Sequence, residues 1–392
     1  MASRGCSFRA TVTFMCLAVA MPTFVKCEGI DLNVGDAAFS VEYFKHSFNR
    51  SVNSVVSPVA VRLTFSALYE VTEPSTKDAV RKAFFLASEP SEARSNAVKF
   101  VDDIEQNRYL NLSFGVFKTD EALSTELNDA VRAIFKVNEP ETVSFADSKS
   151  VVNKVNRWAE EATAGLVQNY LSEEDIDVNQ DLLLLNALFL RANWAQKFPV
   201  ERTTSQTFEY LDGPAPVDLM SVSMKVLYKA YEKFHAVQVP YSEDSDLTMW
   251  ILLPHRGGTL DDLLGLLSVE LLDELEGSFA PKELDIYLPK FTIRHSHDPR
   301  EVLMNVGHGN IFDGNNFAAF ASHKSTIGGM KQSTFIKVDE SGTEAAAVTS
   351  VGTKFRVRNT QFLANKPFVF IIRKISTDTI LFIGHYSNRD QN

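Results

Sequence analysis

A long polar segment between Val338 and Phe362 holds the residues with the clearest capacity for molecular recognition. It begins with small and acidic residues and ends with three cations at alternate positions, Lys354, Arg356 and Arg358. A segment of this length inside a compact domain is usually functional or disordered. In an extended chain the three cations would point the same way and could pair with carboxylates, although Lys354 and Arg358 are equally well explained as solvated loop cations. The segment is a candidate exposed recognition loop.

Patterns of common catalytic and metal sites are absent from the sequence. There is no Gly-x-Ser-x-Gly, P-loop or His-Glu-x-x-His motif. The spacing of His295 and His297 could serve a metal, but a lone His-x-His pair is more often solvated, so we expect no metal site. All three cysteines, Cys6, Cys16 and Cys27, lie near the N-terminus, which argues against disulfide scaffolds and thiol catalysis.

Composition and the N-terminus indicate a secreted globular protein. The chain of 392 residues has a net charge of −11, which argues against general nucleic-acid binding. Positive residues followed by an apolar run from Ala10 to Met21 predict a signal peptide within residues 1–27, cleaved after Ala20 or after Cys27. The later apolar runs are too short for a transmembrane segment. We expect a single extracellular domain over residues 28–392.

The elements that must position the loop change in character along the chain. Helical apolar spacing dominates the first part, with a helix beginning at Ser57-Pro58 and another predicted from Ser148 to Tyr170. Ser57 is placed to cap its helix, and Pro58 lies in the first turn. Leu182 to Leu190 is a continuous apolar run, which is typical of a central strand buried on both faces. The mixture of helices and strands predicts an α+β fold.

Several motifs resemble those of the serpin family and occur in the same order. Residues 340–349 resemble the serpin hinge, and residues 362–370 resemble the family's C-terminal signature. Asn186 and Trp194 fall where the family has its central strand and the tryptophan that follows it. The resemblance covers nearly everything after the signal peptide. It implies the serpin fold, with helices around three β-sheets and an exposed reactive-centre loop at about residues 340–362.

The resemblance also locates the bond that a protease would cut. In the family pattern the residue before this bond lies 14 residues after the hinge glycine and 11 residues before the proline of the C-terminal signature. Counting from Gly342 and from Pro367 gives Arg356 both times. The reactive bond would therefore be Arg356–Val357. Arginine at this position suits trypsin-like proteases, which have an aspartate in their primary specificity pocket.

Serpins are not enzymes, and the resemblance implies inhibition by loop insertion. The protease forms an acyl-enzyme, and the cleaved loop then enters the main sheet as an extra strand and traps it. Alternate residues of a strand face opposite sides, so those that face inward must be small and uncharged. Thr343, Ala345, Ala347 and Thr349 share that face. The hinge as a whole comprises Glu340, Gly342, Thr343, Glu344, Ala345, Ala346, Ala347 and Thr349.

The function that follows from the resemblance is suicide inhibition of an extracellular, Arg-specific serine protease, in a clotting or immune cascade. The inhibitor would be a monomer. One alternative is a non-inhibitory serpin that acts as a carrier or storage protein. Such a protein is expected to have bulky or charged residues at the inward hinge positions, which this sequence lacks. A further alternative is an ordinary secreted binding protein.

Two groups of residues would control the opening of the main sheet. Lys290 and Glu340 resemble an ion pair at the point where the loop enters, with Trp194 packed beneath it. The alternative is two unrelated surface charges.

The second group is a polar cluster under the sheet, made of Ser57, Asn186 and Gln332. The family usually has serine at the position of Ala60 and histidine at that of Gln332. Glutamine can hydrogen bond there but does not titrate near neutral pH.

Two further features concern groups bound at the surface. Asn49 and Asn111 each begin a glycosylation sequon. Asn111 lies in an alternating strand pattern, so we expect it to be less accessible. A glycosaminoglycan is the one cofactor that the sequence suggests, at a loose basic region that acidic neighbours dilute. Its members are Lys77, Arg81, Lys82, Arg94 and Lys99.

Overall fold

Helices dominate the first part of the chain and strands the second, as the change in apolar spacing predicts. The computed structural model describes residues 35–120, 123–255, 257–312, 317, 327–343 and 360–389. The helices are α1 (Asp36–Ser47), α2 (Pro58–Leu68), α3 (Pro74–Phe84), α4 (Pro90–Gln106), α5 (Thr125–Phe135), α6 (Ser148–Ala162), α7 (Leu260–Leu266), α8 (Val269–Ser278) and α9 (Pro299–Leu303).

The strands belong to two sheets. In chain order they are β1 (Ser54–Val56), β2 (Leu110–Lys118), β3 (Glu141–Thr142), β4 (Leu182–Leu190), β5 (Ala192–Asn193), β6 (Thr204–Tyr210), β7 (Gly213–Ala230), β8 (Phe234–Pro240), β9 (Leu247–Pro254), β10 (Ala280–Pro289), β11 (Phe291–His297), β12 (Ile327–Val338), β13 (Gly342–Thr343), β14 (Thr360–Leu363), β15 (Phe368–Lys374) and β16 (Thr379–Tyr386).

Local backbone chemistry determines where the helices begin and end. Pro58 lies in the first turn of α2, and α3, α4 and α9 also begin with proline, whose missing N–H is not needed there. The prediction that α6 extends to Tyr170 is wrong, because the helix ends at Ala162. Ala164 and Gly165 have φ angles of 50° and 82°, and this left-handed backbone stops the helix. The residues after α6 therefore form a separate segment.

The sheet that contains the predicted central strand has seven strands. Their order is β3-β2-β4-β12-β13-β5, with β11 beside β12. Every residue of β4 is buried, which confirms the prediction from its apolar run. β4 and β12 are parallel, and Asn186 lies opposite Gln332. We call the line along which they pair, residues 182–189 with 327–335, the seam.

The other sheet has nine strands in the order β1-β16-β15-β9-β8-β7-β10-β14, with β6 beside β7. β7 is long enough to pair with β6 along its first half and with β8 at its end, while β10 pairs along the part between. Two of the three expected sheets are therefore joined, and the described strands form two hydrogen-bonded sheets. The α+β class is confirmed.

Alternate residues of β4 belong to two different cores. Leu184 and Leu188 pack in the larger core, which also includes residues of the nine-stranded sheet and of α1 and α2. Leu183 and Leu185 pack in a smaller core with Val155 of α6. Because successive side chains of a strand point to opposite faces, α6 covers one face of the seam and the larger core covers the other.

A buried histidine lies in the nine-stranded sheet. His385 of β16 has no exposed surface, its Nδ1 lies 2.9 Å from Ser387 Oγ, and its ring centroid is 4.5 Å from that of Phe48. Burial, with a smaller contribution from the charge of His295, lowers the pKa of His385 to about 3. The folded protein therefore favours the neutral imidazole.

We predict that the folded protein loses stability as the pH falls below about 6.5. The pKa of His385 is about 3 in the folded protein and is taken as 6.5 in the unfolded chain. Between pH 6.5 and pH 3 the unfolded chain therefore binds one proton more than the folded protein. Each pH unit in this window lowers the free energy of unfolding by about 1.4 kcal/mol for this residue. Denaturant unfolding of the wild type and His385→Asn, followed against pH, measures the effect. Equal slopes in the two proteins would contradict it.

Candidate functional site

An ion pair holds the start of the predicted hinge at one end of the seven-stranded sheet. The carboxylate of Glu340 accepts hydrogen bonds from Lys290 Nζ at 3.0 Å and from Thr203 Oγ1 at 2.7 Å. Burial raises the pKa of Glu340, but the hydrogen bonds from Thr203 and Lys290 outweigh burial, and the pKa lies below its usual value. The structure thus brings Lys290 and Glu340 together as a charged pair.

Trp194 holds the turn that leads into Gly342. Its indole Nε1 donates to the carbonyl of Asp339 at 3.0 Å, and its backbone N–H donates to that of Ser341 at 2.9 Å. Its ring stacks on Tyr241 with 4.5 Å between centroids. The buried tryptophan therefore fixes the backbone of this turn, in addition to filling space near the hinge.

The first two hinge residues after this turn already belong to the sheet. Gly342 pairs with Asn193 of β5, and Thr343 pairs with Ala192 of β5 and Val338 of β12, antiparallel in each case. The φ angle of Gly342 is 149°, and a Cβ there would lie 2.1 Å from the carbonyl oxygen of Ala192. Glycine is therefore required at this position.

The side chain of Thr343 lies in a closed site. It is fully buried, and its hydroxyl is 2.9 Å from the Oη of Tyr241. Burial raises the pKa of Tyr241, so the phenol stays neutral. Sequence reasoning missed Tyr241 and Thr203 because both are distant along the chain and neither belongs to a local motif. A side chain at position 343 must therefore be small and uncharged.

The polar cluster at the seam is organised by one amide. Gln332 Oε1 accepts from the backbone N–H of Ser57 at 2.8 Å, and Nε2 donates to the carbonyl of Ser57 at 2.9 Å and to Asn186 Oδ1 at 3.1 Å. The prediction that the Ser57 side chain caps α2 is wrong: it makes no cap hydrogen bond, and its buried hydroxyl has no partner among the described residues. Ser57 joins the cluster through its backbone.

Comparison with known proteins identifies the architecture. A family model described as "Serpin (serine protease inhibitor)" matches residues 35–389. The chain belongs to the serpin family. The solved structure of SRPN18 from Anopheles gambiae is similar in fold, with a TM-score of 0.82 at 22% identity over 92% of this chain and 98% of that one.

Curated serpins show the same relationship in sequence. Human "Serpin B10" is 31% identical over 63% of this chain, and the chain spans 64% of the length of that relative. "Serine protease inhibitor 42Dd" of Drosophila melanogaster is 28% identical over 85% of this chain and 90% of the fly protein.

Most of the predicted serpin loop lies outside the described residues, and so does the predicted signal peptide at residues 1–27. Their roles stay predictions. The loop residues concerned are Glu344, Ala345, Ala346, Ala347, Thr349, Arg356 and Val357.

Both asparagines of the predicted glycosylation sites are exposed. Asn49 Oδ1 accepts from the backbone N–H of Ser51 at 2.9 Å, and Asn111 Oδ1 accepts from Ser113 Oγ at 2.9 Å. Asn111 lies near the start of β2, so strand position does not bury it, contrary to expectation. Glycosylation itself stays a prediction at both sites.

Three of the five cations of the basic region have acidic partners. Asp78 pairs with Arg81 at 2.8 Å and with Lys82 at 2.5 Å, and Glu70 pairs with Arg94 at 3.4 Å. These pairs reduce the positive potential that this serpin could offer to a polyanion.

The two candidate metal-binding histidines have protein partners. His295 Nδ1 lies 3.0 Å from the carbonyl of Val55, and His297 Nε2 lies 2.7 Å from Tyr43 Oη. Across the described ranges no group of three or more His, Cys, Asp or Glu residues is placed to hold a metal ion. Nor is any helix in the same ranges both long and apolar enough to cross a bilayer.

We predict that Gln332 and Ser57 contribute very differently to the seam. Gln332→Leu removes three hydrogen bonds and leaves the backbone of Ser57 unpaired, which should lower the free energy of unfolding by about 3 kcal/mol. Ser57→Ala removes only a hydroxyl that makes no hydrogen bond, so the free energy of unfolding should change by less than about 0.5 kcal/mol. If the hydroxyl did cap α2, the same substitution would cost about 1 kcal/mol. Urea unfolding of the two variants compares them. If Ser57→Ala lost more stability than Gln332→Leu, the conclusion that the Gln332 amide organises the cluster would be wrong.

Proposed function

We propose that this serpin is a suicide inhibitor of trypsin-like serine proteases. The protease attacks the bond Arg356–Val357 and forms an acyl-enzyme through the carbonyl of Arg356. The freed loop then enters the seam as a new strand and carries the protease with it before the ester is hydrolysed.

The observation that supports this proposal most directly is the pairing of Gly342 and Thr343. They lie between β12 and β5 at the end of the seam and run antiparallel to both. A strand that continued beyond Thr343 would run between β4 and β12, antiparallel to each. One parallel ladder would then be replaced by two antiparallel ladders, which are slightly more stable per residue.

The lengths of the two partners are compatible with this insertion. The seam pairs residues 182–189 of β4, a span of about 25 Å, whereas the extended chain from Thr343 to Arg356 would reach about 40 Å. The other end of the loop is held in β14, which pairs with β10 of the other sheet. An uncleaved loop is therefore anchored at both Thr343 and Thr360, and a cut at Arg356 releases the inserting end.

The composition of the loop supports the same reaction. Thr343 already occupies a buried, uncharged site, and the residues that would follow it on the inward face, Ala345, Ala347 and Thr349, are small. Burial of such residues costs little, whereas a charged residue would have to be desolvated at several kcal/mol. Arg356 would supply the bidentate guanidinium that the specificity pocket of a trypsin-like protease recognises.

A cavity supports the carrier alternative. It has a volume of about 410 Å³, a size within the range of small-molecule sites, and is lined by Leu227, Trp250 and Arg373 of the nine-stranded sheet. A carrier would bind an apolar ligand there and would be cleaved by trypsin without trapping it. A covalent complex on a denaturing gel distinguishes the inhibitor from the carrier.

The inhibitor would act outside the cell. The N-terminal signal pattern supports secretion, and the target would be an extracellular protease of a clotting or immune cascade. We propose a monomeric inhibitor, with glycans at Asn49 and Asn111. A glycosaminoglycan would have to bind mainly through Lys77 and Lys99, since the other cations of the basic region have acidic partners.

We predict that Arg356→Ala abolishes the covalent complex with trypsin. Loss of the charged, bidentate hydrogen bonds should slow the reaction by about 10²- to 10⁴-fold, so that no complex is visible at the time when the wild type has reacted completely. Arg358→Ala is the matched control and should keep most of the rate. Denaturing gels and second-order inhibition rates measure the effect, and unchanged inhibition by Arg356→Ala would place the reactive residue elsewhere.

We predict that Thr343→Arg converts the inhibitor into a substrate. Residue 343 already occupies the site beside Tyr241 before cleavage, and an arginine would be expelled from it. The guanidinium would have to lose its hydration to return when the strand extends, so insertion slows and deacylation releases the protease. The number of inhibitor molecules consumed per trypsin inactivated should rise several-fold. Thr207→Arg, at an exposed position of β6, is the matched control. Stoichiometric inhibition by Thr343→Arg would refute the insertion step.

A further inference from the structure

The segment that follows α6 crosses the seam on the face opposite the Gln332 cluster. Tyr170 is buried in this segment, and its Oη lies 3.0 Å from the carbonyl oxygen of Asn186 in β4 and 2.7 Å from that of Lys331 in β12. One phenol hydroxyl is therefore shared between the two strands that must separate if a third strand is to enter. Sequence reasoning missed this contact because it placed Tyr170 at the end of a helix.

The hydroxyl is held in place from α6. The side-chain amide of Asn156 accepts from the backbone N–H of Leu171 at 2.8 Å and donates to its carbonyl at 3.0 Å. The ring of Tyr170 packs edge-on against Trp158 with 5.9 Å between centroids. Burial raises the pKa of Tyr170 well above its usual value, so the hydroxyl remains a donor at physiological pH. These contacts therefore hold the phenol in a fixed position against the seam.

The same segment also makes an ion pair, but with β12 alone. Asp175 pairs with Lys331 Nζ at 2.9 Å, and its carboxylate also accepts from the backbone N–H of Ser172. This ion pair can follow β12 when the seam opens. The contact of Tyr170 cannot, because an inserted strand adds about 4.8 Å between β4 and β12 and a hydroxyl bonds only within about 3.2 Å.

We propose that the hydroxyl of Tyr170 is a positioning group that keeps the seam closed and limits the rate at which a strand can enter it. The proposal rests on the inhibitory function proposed above, and it deepens that function by naming a residue that sets the speed of insertion relative to deacylation. At least one of the two contacts is lost when a strand enters, so removal of the hydroxyl destabilises the closed seam more than the open one and lowers the barrier to insertion.

The test uses Tyr170→Phe in the full chain, which removes the hydroxyl and keeps the ring. A synthetic peptide with the sequence of residues 343–356 is mixed with the uncleaved protein, and its incorporation is followed by native gel. We expect incorporation to be about two- to tenfold faster than in the wild type, the factor that one lost hydrogen bond allows. Hydrogen–deuterium exchange of β12 should accelerate by a similar factor.

Tyr69→Phe is the matched control. Tyr69 Oη donates to one backbone carbonyl, that of Ser88, at 3.1 Å, away from the seam. In urea, Tyr69→Phe should lose about as much stability as Tyr170→Phe. Its rates of peptide incorporation and of hydrogen–deuterium exchange in β12 should equal those of the wild type. Incorporation in Tyr170→Phe that is no faster than in Tyr69→Phe overturns the proposal, and so does failure of the peptide to enter any of the three proteins.

Trypsin separates the two proposals. If the wild type forms no covalent complex, the inhibitory function fails, while the incorporation and exchange rates still decide the role of Tyr170. If the wild type traps trypsin but Tyr170→Phe neither accelerates peptide entry nor exposes β12, the inhibitory function stands and the role of Tyr170 is refuted.

Discussion

The parallel pairing of β4 with β12 is the interaction on which the surrounding structure depends. The two strands are neighbours in the seven-stranded sheet although long stretches of chain separate them. On one face the Gln332 amide joins them to the start of α2, and on the other Tyr170 joins them to the segment after α6. At the end of the seam, Gly342 and Thr343 take the position of a further strand. The Gln332 amide, the Tyr170 hydroxyl and the hinge pairing thus all meet at that one ladder.

The two faces of the seam resist opening by different means. The larger core is continuous with the nine-stranded sheet, so β4 is anchored there by extensive apolar packing. The smaller core contains Val155 of α6 together with Leu183 and Leu185 of β4. Separation of the strands would disturb both cores, since side chains of β4 and β12 belong to each. The contacts that hold the seam are hydrogen bonds whose net contributions are about 1 kcal/mol each, and a new strand can replace them with its own.

The sequence was most informative where one residue type repeats for one physical reason. β4 could be recognised because a strand buried on both faces must be apolar at every position. The hinge could be recognised through its resemblance to the serpin pattern, in which small side chains follow one another. Apolar spacing failed at the end of α6, because the left-handed backbone at Ala164 and Gly165 is independent of that spacing. Tyr170 and Tyr241 could not be found, since their partners lie on other elements and no local pattern records such contacts.

The position of β14, β15 and β16 has a consequence for the integrity of the molecule. These strands follow the loop, and β15 and β16 are completely buried inside the nine-stranded sheet between β1 and β9. A cut anywhere between Thr343 and Thr360 would break the covalent chain. The C-terminal piece would remain in the sheet, held by the hydrogen bonds and apolar side chains of its strands. The two pieces would migrate together in gel filtration and separate only when the fold is denatured. The folded protein therefore stays in one piece whether or not the peptide chain is intact at the loop.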